Sequence, residues 1–169
     1  MDELELADRL KAALRRMPGP VALITTADPD TGAYAGLAAS AIIPVSMAPP
    51  SMLVAVNRSA SAHATIERAG RLCINLLCNS QTALVAPFAG MAPRETRFAG
   101  DDWAERDGLP YLPGAIVSII CQVERTQVFG THELFIGTVQ DVVAGTGTDP
   151  MGWIEGNFAQ LRGLEPIDG

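Results

Sequence analysis

Ala115-Ile116-Val117-Ser118-Ile119-Ile120-Cys121-Gln122-Val123-Glu124-Arg125-Thr126-Gln127, followed closely by His132-Glu133-Leu134-Phe135-Ile136-Gly137-Thr138-Val139-Gln140-Asp141-Val142-Val143, decides the fold class. Val117, Ile119, Cys121 and Val123 alternate with Ser118, Gln122 and Glu124, the period-2 pattern of a strand with one half-exposed face. Only a short turn at Gly130-Thr131 separates the two runs, and antiparallel strands alone can be joined so tightly.

Working outward, Leu4, Leu6, Leu10 and Leu14 predict an amphipathic helix that ends near Met17, where Pro18-Gly19-Pro20 stops it. Val21–Thr26 reads as a strand, Asp28-Pro29-Asp30-Thr31-Gly32 as a turn, and Ala33–Ala41 as a second strand continuing toward Val45. Met52–Val56 suits a strand covered on both faces. Ser61–Ala69 predicts a short helix closed by Gly70, and Arg71–Leu77 another buried strand. Asn79 and Ser80 can cap a helix through Val85 that Pro87 ends. Gly90 to about Pro113 reads as irregular. Six or so strands with two or three short helices exclude a doubly wound α/β fold. They predict a mainly β, antiparallel barrel with a few short peripheral helices.

The chain of 169 residues is of a size for one domain over 1–169, and 48% hydrophobic residues predict a compact body. A net charge of −7 argues against a nucleic-acid partner, because no basic stripe exists to replace phosphate counterions. Cys73, Cys78 and Cys121 sit in apolar runs without a CxxC pair, and read as buried reduced thiols rather than a disulfide or a metal site. The acidic start lacks the marks of a signal peptide, and no apolar run reaches about 18 residues. The expectation is a cytoplasmic protein with no membrane partner. GxGxxG after the first strand, GxSxG, HExxH and a Walker loop are all absent, which removes nucleophile- and phosphate-loop-based readings.

Four segments can hold a ligand. The small residues of Gly36-Leu37-Ala38-Ala39-Ser40-Ala41 let a flat molecule approach the backbone, or else serve tight sheet packing. Asn57-Arg58-Ser59-Ala60-Ser61 gathers hydroxyls, a guanidinium and amides suited to a phosphate, or else merely caps a helix. Pro87-Phe88-Ala89-Gly90 leads into a loop carrying Arg94 and Arg97, which hint at an anion. His132 stands at a strand mouth, where a titratable ring can face a ligand or solvent.

Taken in order, these pieces resemble the short-chain flavin reductase family, the reductase component of two-component flavin-dependent monooxygenases, built on an FMN-binding split barrel. The resemblance runs from about 10 to 161. It is carried by Gly19–Thr26, Gly36–Ala41, Val45–Pro50, Asn57–His63, Ile74–Leu77, Gln81, Phe88–Gly90, Arg97-Phe98 and Gly130–Val139. It implies an NAD(P)H:flavin oxidoreductase that passes hydride from nicotinamide C4 to flavin N5, uses FMN or FAD with NADH or NADPH, and forms a homodimer. Ala39, Ser40 and Ala41 would follow the flavin ring edge. Asn57, Ser59, Ala60 and Ser61 would hold the phosphate end, with Phe88, Ala89 and Arg97 bordering the groove. His132 would face the nicotinamide. Two departures stand out: Leu37-Ala38-Ala39-Ser40 where the family commonly has Thr-x-Ser-Ser, and Thr131 where Asp usually precedes the His. His63 reads as solvated and inert. Trp153 and Phe158 resemble an aromatic closing segment over the groove, or else are core anchors. The competing readings are a non-catalytic flavin-binding electron carrier and a split barrel with an emptied site.

Overall fold

The computed structural model describes residues 2–164; the two ends of the expected 1–169 domain lie outside the described residues. In chain order the elements are α1 (Glu3–Leu14), β1 (Gly19–Pro20), β2 (Ala22–Ala27), β3 (Tyr34–Ala39), β4 (Ile42–Met47), β5 (Pro50–Asn57), α2 (His63–Ala69) and β6 (Arg71–Leu76). They continue with α3 (Thr82–Phe88), β7 (Ala104–Arg106), β8 (Leu109–Tyr111), β9 (Val117–Phe129), β10 (His132–Ala144), β11 (Met151–Ile154) and β12 (Asn157–Gln160). The architecture is mainly β and antiparallel, as the alternation in β9 and β10 predicts.

One sheet dominates, ordered β3-β2-β6-β9-β10-β5-β4. Its two edge strands, β3 and β4, are consecutive in the chain and joined only by Ser40-Ala41. A seven-stranded sheet whose edges are tied by two residues must curl until those edges meet at that corner, yet no ladder closes β3 onto β4. The result is a barrel split along one seam.

The structure revises several boundaries. Ala33–Ala41 does not run on as one strand. Ile42 donates its N–H back to the Ser40 carbonyl (3.0 Å), and the Ala41 carbonyl accepts from Ala55 (3.0 Å), so the chain leaves β2 and turns to pair with β5. The stretch after Gly90 is not wholly irregular, because β7 and β8 form a hairpin over Asp107-Gly108, both at positive φ. α1 ends at Leu14 and α2 starts at His63. Asp2 caps α1 by accepting from the Glu5 amide at 2.7 Å, and Gly70, at φ +62°, closes α2 in the left-handed conformation.

Inside the barrel, Ile24, Val54, Val56, Leu72, Ile74, Cys121 and Phe135 pack with Ala62 and Ile66, so α2 plugs the interior. A fully buried side chain such as Ile66 or Phe135 contributes about 1.5–3 kcal/mol by leaving water. Outside, Val21, Leu23, Leu77, Val85 and Phe88 seat α3 against the back of β2 and β3. Burial pushes the Cys73 thiol up to about 12 and Cys121 to about 11, so both act as small apolar fillers. α1 buries none of its residues. Among the described residues, no helix is long and apolar enough to cross a membrane.

Candidate functional site

The seam has a continuous rim. Gly36 to Ala39 of β3 form one side, Ser40-Ala41 the base, and Ala55 to Asn57 of β5 the other side. The loop 58–61 then turns back, and Arg97 closes the circuit to Gly36. From Gly36 to Ser40 the β3 side spans roughly 13 Å at about 3.3 Å per residue. Ser40 and Ala41 lie outside both ladders; their carbonyls are taken by Ile42 and Ala55, whereas their amides find no backbone acceptor among the described residues.

Arg97 is the keystone of the other end. Its guanidinium donates from Nε to the Pro87 carbonyl (2.9 Å) and from Nη1 to the Gly36 carbonyl (2.8 Å) and the Ser61 hydroxyl (2.9 Å). It stands over the Phe88 ring at 5.7 Å. The residue is only 8% exposed, yet no carboxylate pairs with it among the described residues, and Nη2 has no protein acceptor. Desolvation lowers its pKa and the neighbouring Arg94 adds to that, with Glu95 opposing. A guanidinium this buried with no ion-pair contact among the described residues is costly, and a phosphate would relieve it with charge-assisted bonds. Gly36 is required here: a Cβ would meet Phe88 Cε1 at 2.7 Å and the Ile24 carbonyl at 2.8 Å.

The loop itself is preorganised. The Asn57 side-chain oxygen accepts from the Ser59 amide (2.9 Å) and hydroxyl (2.8 Å), and the Asn57 carbonyl accepts from the Ala60 amide (2.9 Å). Arg58 donates its amide to the Thr131 carbonyl at 3.0 Å, which ties the loop to the mouth of β10. His132 faces Asn57 across the β5–β10 ladder, is exposed, and shares a 3.0 Å hydrogen bond between Nδ1 and the Thr131 hydroxyl. Thr131 thus orients the ring without a charge, where an Asp would have supplied one.

Behind β3 a groove of about 170 Å³ is lined by Ala38, Ala39, Ser40, Val85, Ala89, Met91, Trp153 and Phe158, with Pro20 and Val21 at its end. Trp153 and Phe158 stack edge to face at 5.3 Å and remain 36% and 39% exposed, so they are groove walls and not core anchors. A larger polar cavity of about 520 Å³, around Ser80, Asp102, Thr148 and Asp149, shares no residue with the rim.

The structure therefore gathers Asn57, Ser59, Ala60, Ser61 and Arg97 at one end of the rim and Ala39, Ser40 and Ala41 at the other. Phe88 and Ala89 lie behind β3, and His132 sits on the β5 flank, outside the groove. His63 contradicts its expected solvated role. It is buried, bonded through Nε2 to Glu133 Oε2 at 2.7 Å, and set edge-on to Phe135 at 5.7 Å. The physical reason is periodicity: Glu133 alternates with His132 and points into the barrel, where α2 brings His63 to meet it. Glu133 carries no motif of its own; the signal that marks it is its inward parity with Phe135 in the strand pattern.

The fold is shared with known proteins. The model of the family described as Flavin reductase like domain matches residues 14–162, and the chain belongs to that family. Among relatives, it is 36% identical over 156 residues to the FMN reductase (NADH) RutF of Methylorubrum populi, covering 92% of this chain and 76% of that one. The flavin reductase PheA2 in its native state superposes with a TM-score of 0.83 at 29% identity, over 96% of this chain and 100% of that one. Nitrilotriacetate monooxygenase component B from Mycobacterium thermoresistibile shares the fold, with a TM-score of 0.87 at 24% identity, over 99% of this chain and 94% of the other.

Proposed function

We propose that this protein is an NADH-dependent flavin reductase, one domain over its 169 residues, that supplies reduced FMN or FAD to a separate monooxygenase in the cytoplasm. The observation that carries the reading is Arg97, a buried guanidinium without a carboxylate at the phosphate-suited end of a split-barrel rim. The rim fits the cofactor at both ends. Ser59, Ser61, the loop amides and Arg97 would hold a phosphate, while the Ser40 and Ala41 amides would meet ring carbonyls at the base. When bound, flavin supplies the electron acceptor at N5 for hydride from nicotinamide C4.

What the chain contributes is alignment and exclusion. Asn57, locked to Ser59 and Ala60, presets the loop, so little ordering entropy is lost on binding. The Ser40 and Ala41 amides, left without a backbone acceptor among the described residues, would be free to meet a ring carbonyl and favour negative charge on it. His132, beside Asn57, would meet the nicotinamide carboxamide and need move no proton. No acid–base dyad is needed for hydride transfer. A homodimer is favoured by the apolar side chains that β4 exposes at Ile43, Val45 and Met47 beside the rim. The monooxygenase partner is carried from the component B name of a fold neighbour.

The test is direct: follow NADH and NADPH oxidation at 340 nm with FMN, FAD or riboflavin added. Turnover of NADH with free flavin is expected. Yellow protein without turnover favours the electron-carrier reading, and no flavin affinity removes both.

A further inference from the structure

We propose that His63 and Glu133 are a positioning pair that sets the phosphate-holding loop against the His132 strand; this rests on the flavin reading above. The loop 58–61 is fastened to the mouth of β10 at two points that flank His132. On one side the Arg58 amide holds the Thr131 carbonyl at 3.0 Å. On the other, His63 Nε2 holds Glu133 Oε2 at 2.7 Å inside the barrel. His63 follows the loop almost immediately, and its own amide donates back to the Ala60 carbonyl at 3.0 Å, so a shift of His63 moves Ala60 and Ser61 with it. Ser61 in turn is the hydroxyl that Arg97 grips.

Stability alone does not account for this pair. His63 and Glu133 are 8% and 5% exposed, and Glu133 has no other side-chain partner among the described residues. Replacing a buried polar pair by apolar residues of similar volume is often neutral or stabilising, whereas a directional bond fixes one geometry. The surroundings are apolar: Phe135 meets the imidazole edge to face, and Ala62 and Ile66 are completely buried. A hydrophobic contact there would plug the barrel equally well, but it would let α2 slide and tilt. The bond specifies where the helix begins, and so where the loop's hydroxyls and amides stand.

A positioning role for the phosphate end makes a distinction that general destabilisation does not. FMN and riboflavin share the ring and differ in the phosphate. Flavin fluorescence titrations on the full chain, with melting temperatures measured alongside, compare wild type, His63→Ala, Glu133→Gln and the double variant His63→Leu/Glu133→Leu. FMN affinity should fall about tenfold in His63→Ala and in the double variant, the equivalent of one net hydrogen bond, with riboflavin affinity within about twofold of wild type. Glu133→Gln, which keeps an acceptor for the imidazole N–H, should stay within about threefold for FMN. The double variant is the control for folding, because it is expected to melt at or above the wild-type temperature. Equal losses for FMN and riboflavin, unchanged FMN affinity in a folded double variant, or failure of both His63 variants to fold would each overturn the proposal. A wild type that does not prefer FMN to riboflavin instead removes the phosphate-loop reading itself, and the positioning role with it.

Discussion

The two ends of the rim are held in opposite ways. At the loop end, side chains do the holding: Arg97 makes three hydrogen bonds, Asn57 two, and His63 and Glu133 one between them. At the base, Ser40 and Ala41 are placed by backbone bonds to Ile42 and Ala55, and the adjoining groove is walled by Ala38, Ala39, Val85, Trp153 and Phe158. The loop end is built for a charged group of defined shape. The base offers amides and apolar area, which suit any flat ring and discriminate little. Affinity should therefore be concentrated at the loop end and reactivity at the ring end, a division that mutations can break.

Arg97→Ala strikes the loop end hardest. It removes the guanidinium and leaves the Gly36 and Pro87 carbonyls without their donor in a buried site, a loss of about 2–4 kcal/mol of folding stability. FMN affinity should drop by about 100-fold or more, since charge-assisted contacts to phosphate are lost as well. Arg97→Lys restores the charge but not the fork that reaches Pro87, Gly36 and Ser61 together, so it should recover only part of either property. Thermal melts and flavin titrations check both. Wild-type FMN binding by Arg97→Ala would break the comparison at its stronger end.

His132 lies between the two ends in effect. Its imidazole is exposed and, among the described residues, held by the Thr131 hydroxyl alone, so its removal should leave the fold intact. His132→Ala should raise the apparent KM for NADH by about five- to tenfold, with kcat changed little, because a contact made equally in ground and transition states is lost. Steady-state kinetics at saturating FMN measure this. Unchanged kinetics would place the nicotinamide elsewhere on the rim.

Much of this molecule is legible in its residues, for reasons that differ by element. β9 and β10 announce themselves because a half-exposed sheet needs period-2 alternation, and α2 because Gly70 supplies its left-handed stop. The corner at Ser40-Ala41 is not legible, since small residues satisfy a continuing strand and a turn equally; only the pairing of Ala55 with Ala41 decides it. The loop 57–61 reads as a phosphate candidate from its hydroxyls, but Arg97 is ambiguous in sequence because its meaning depends on Ser61, 36 residues away. The burial of His63 is not legible either, because a polar residue at a helix start is usually solvated and nothing local marks the inward Glu133 as its partner.

Trp153 and Phe158 give the smallest effect and the sharpest contrast. They stack on one another at the open end of the groove and stay partly exposed, so truncating either removes apolar cover without opening a core cavity. Trp153→Ala or Phe158→Ala should weaken flavin binding by about two- to fivefold, the scale of one aromatic contact near 0.5–1 kcal/mol. The decisive feature is which flavins feel it. A wall of the ring end touches what FMN and riboflavin have in common, so both should weaken together, whereas Arg97 and His63 variants should penalise FMN alone. Titrating both flavins against all of these variants separates the ends of the rim by ligand, independent of any change in stability. If Phe158→Ala penalised FMN selectively, the groove would be serving the phosphate, and the rim would have to be read in the opposite direction.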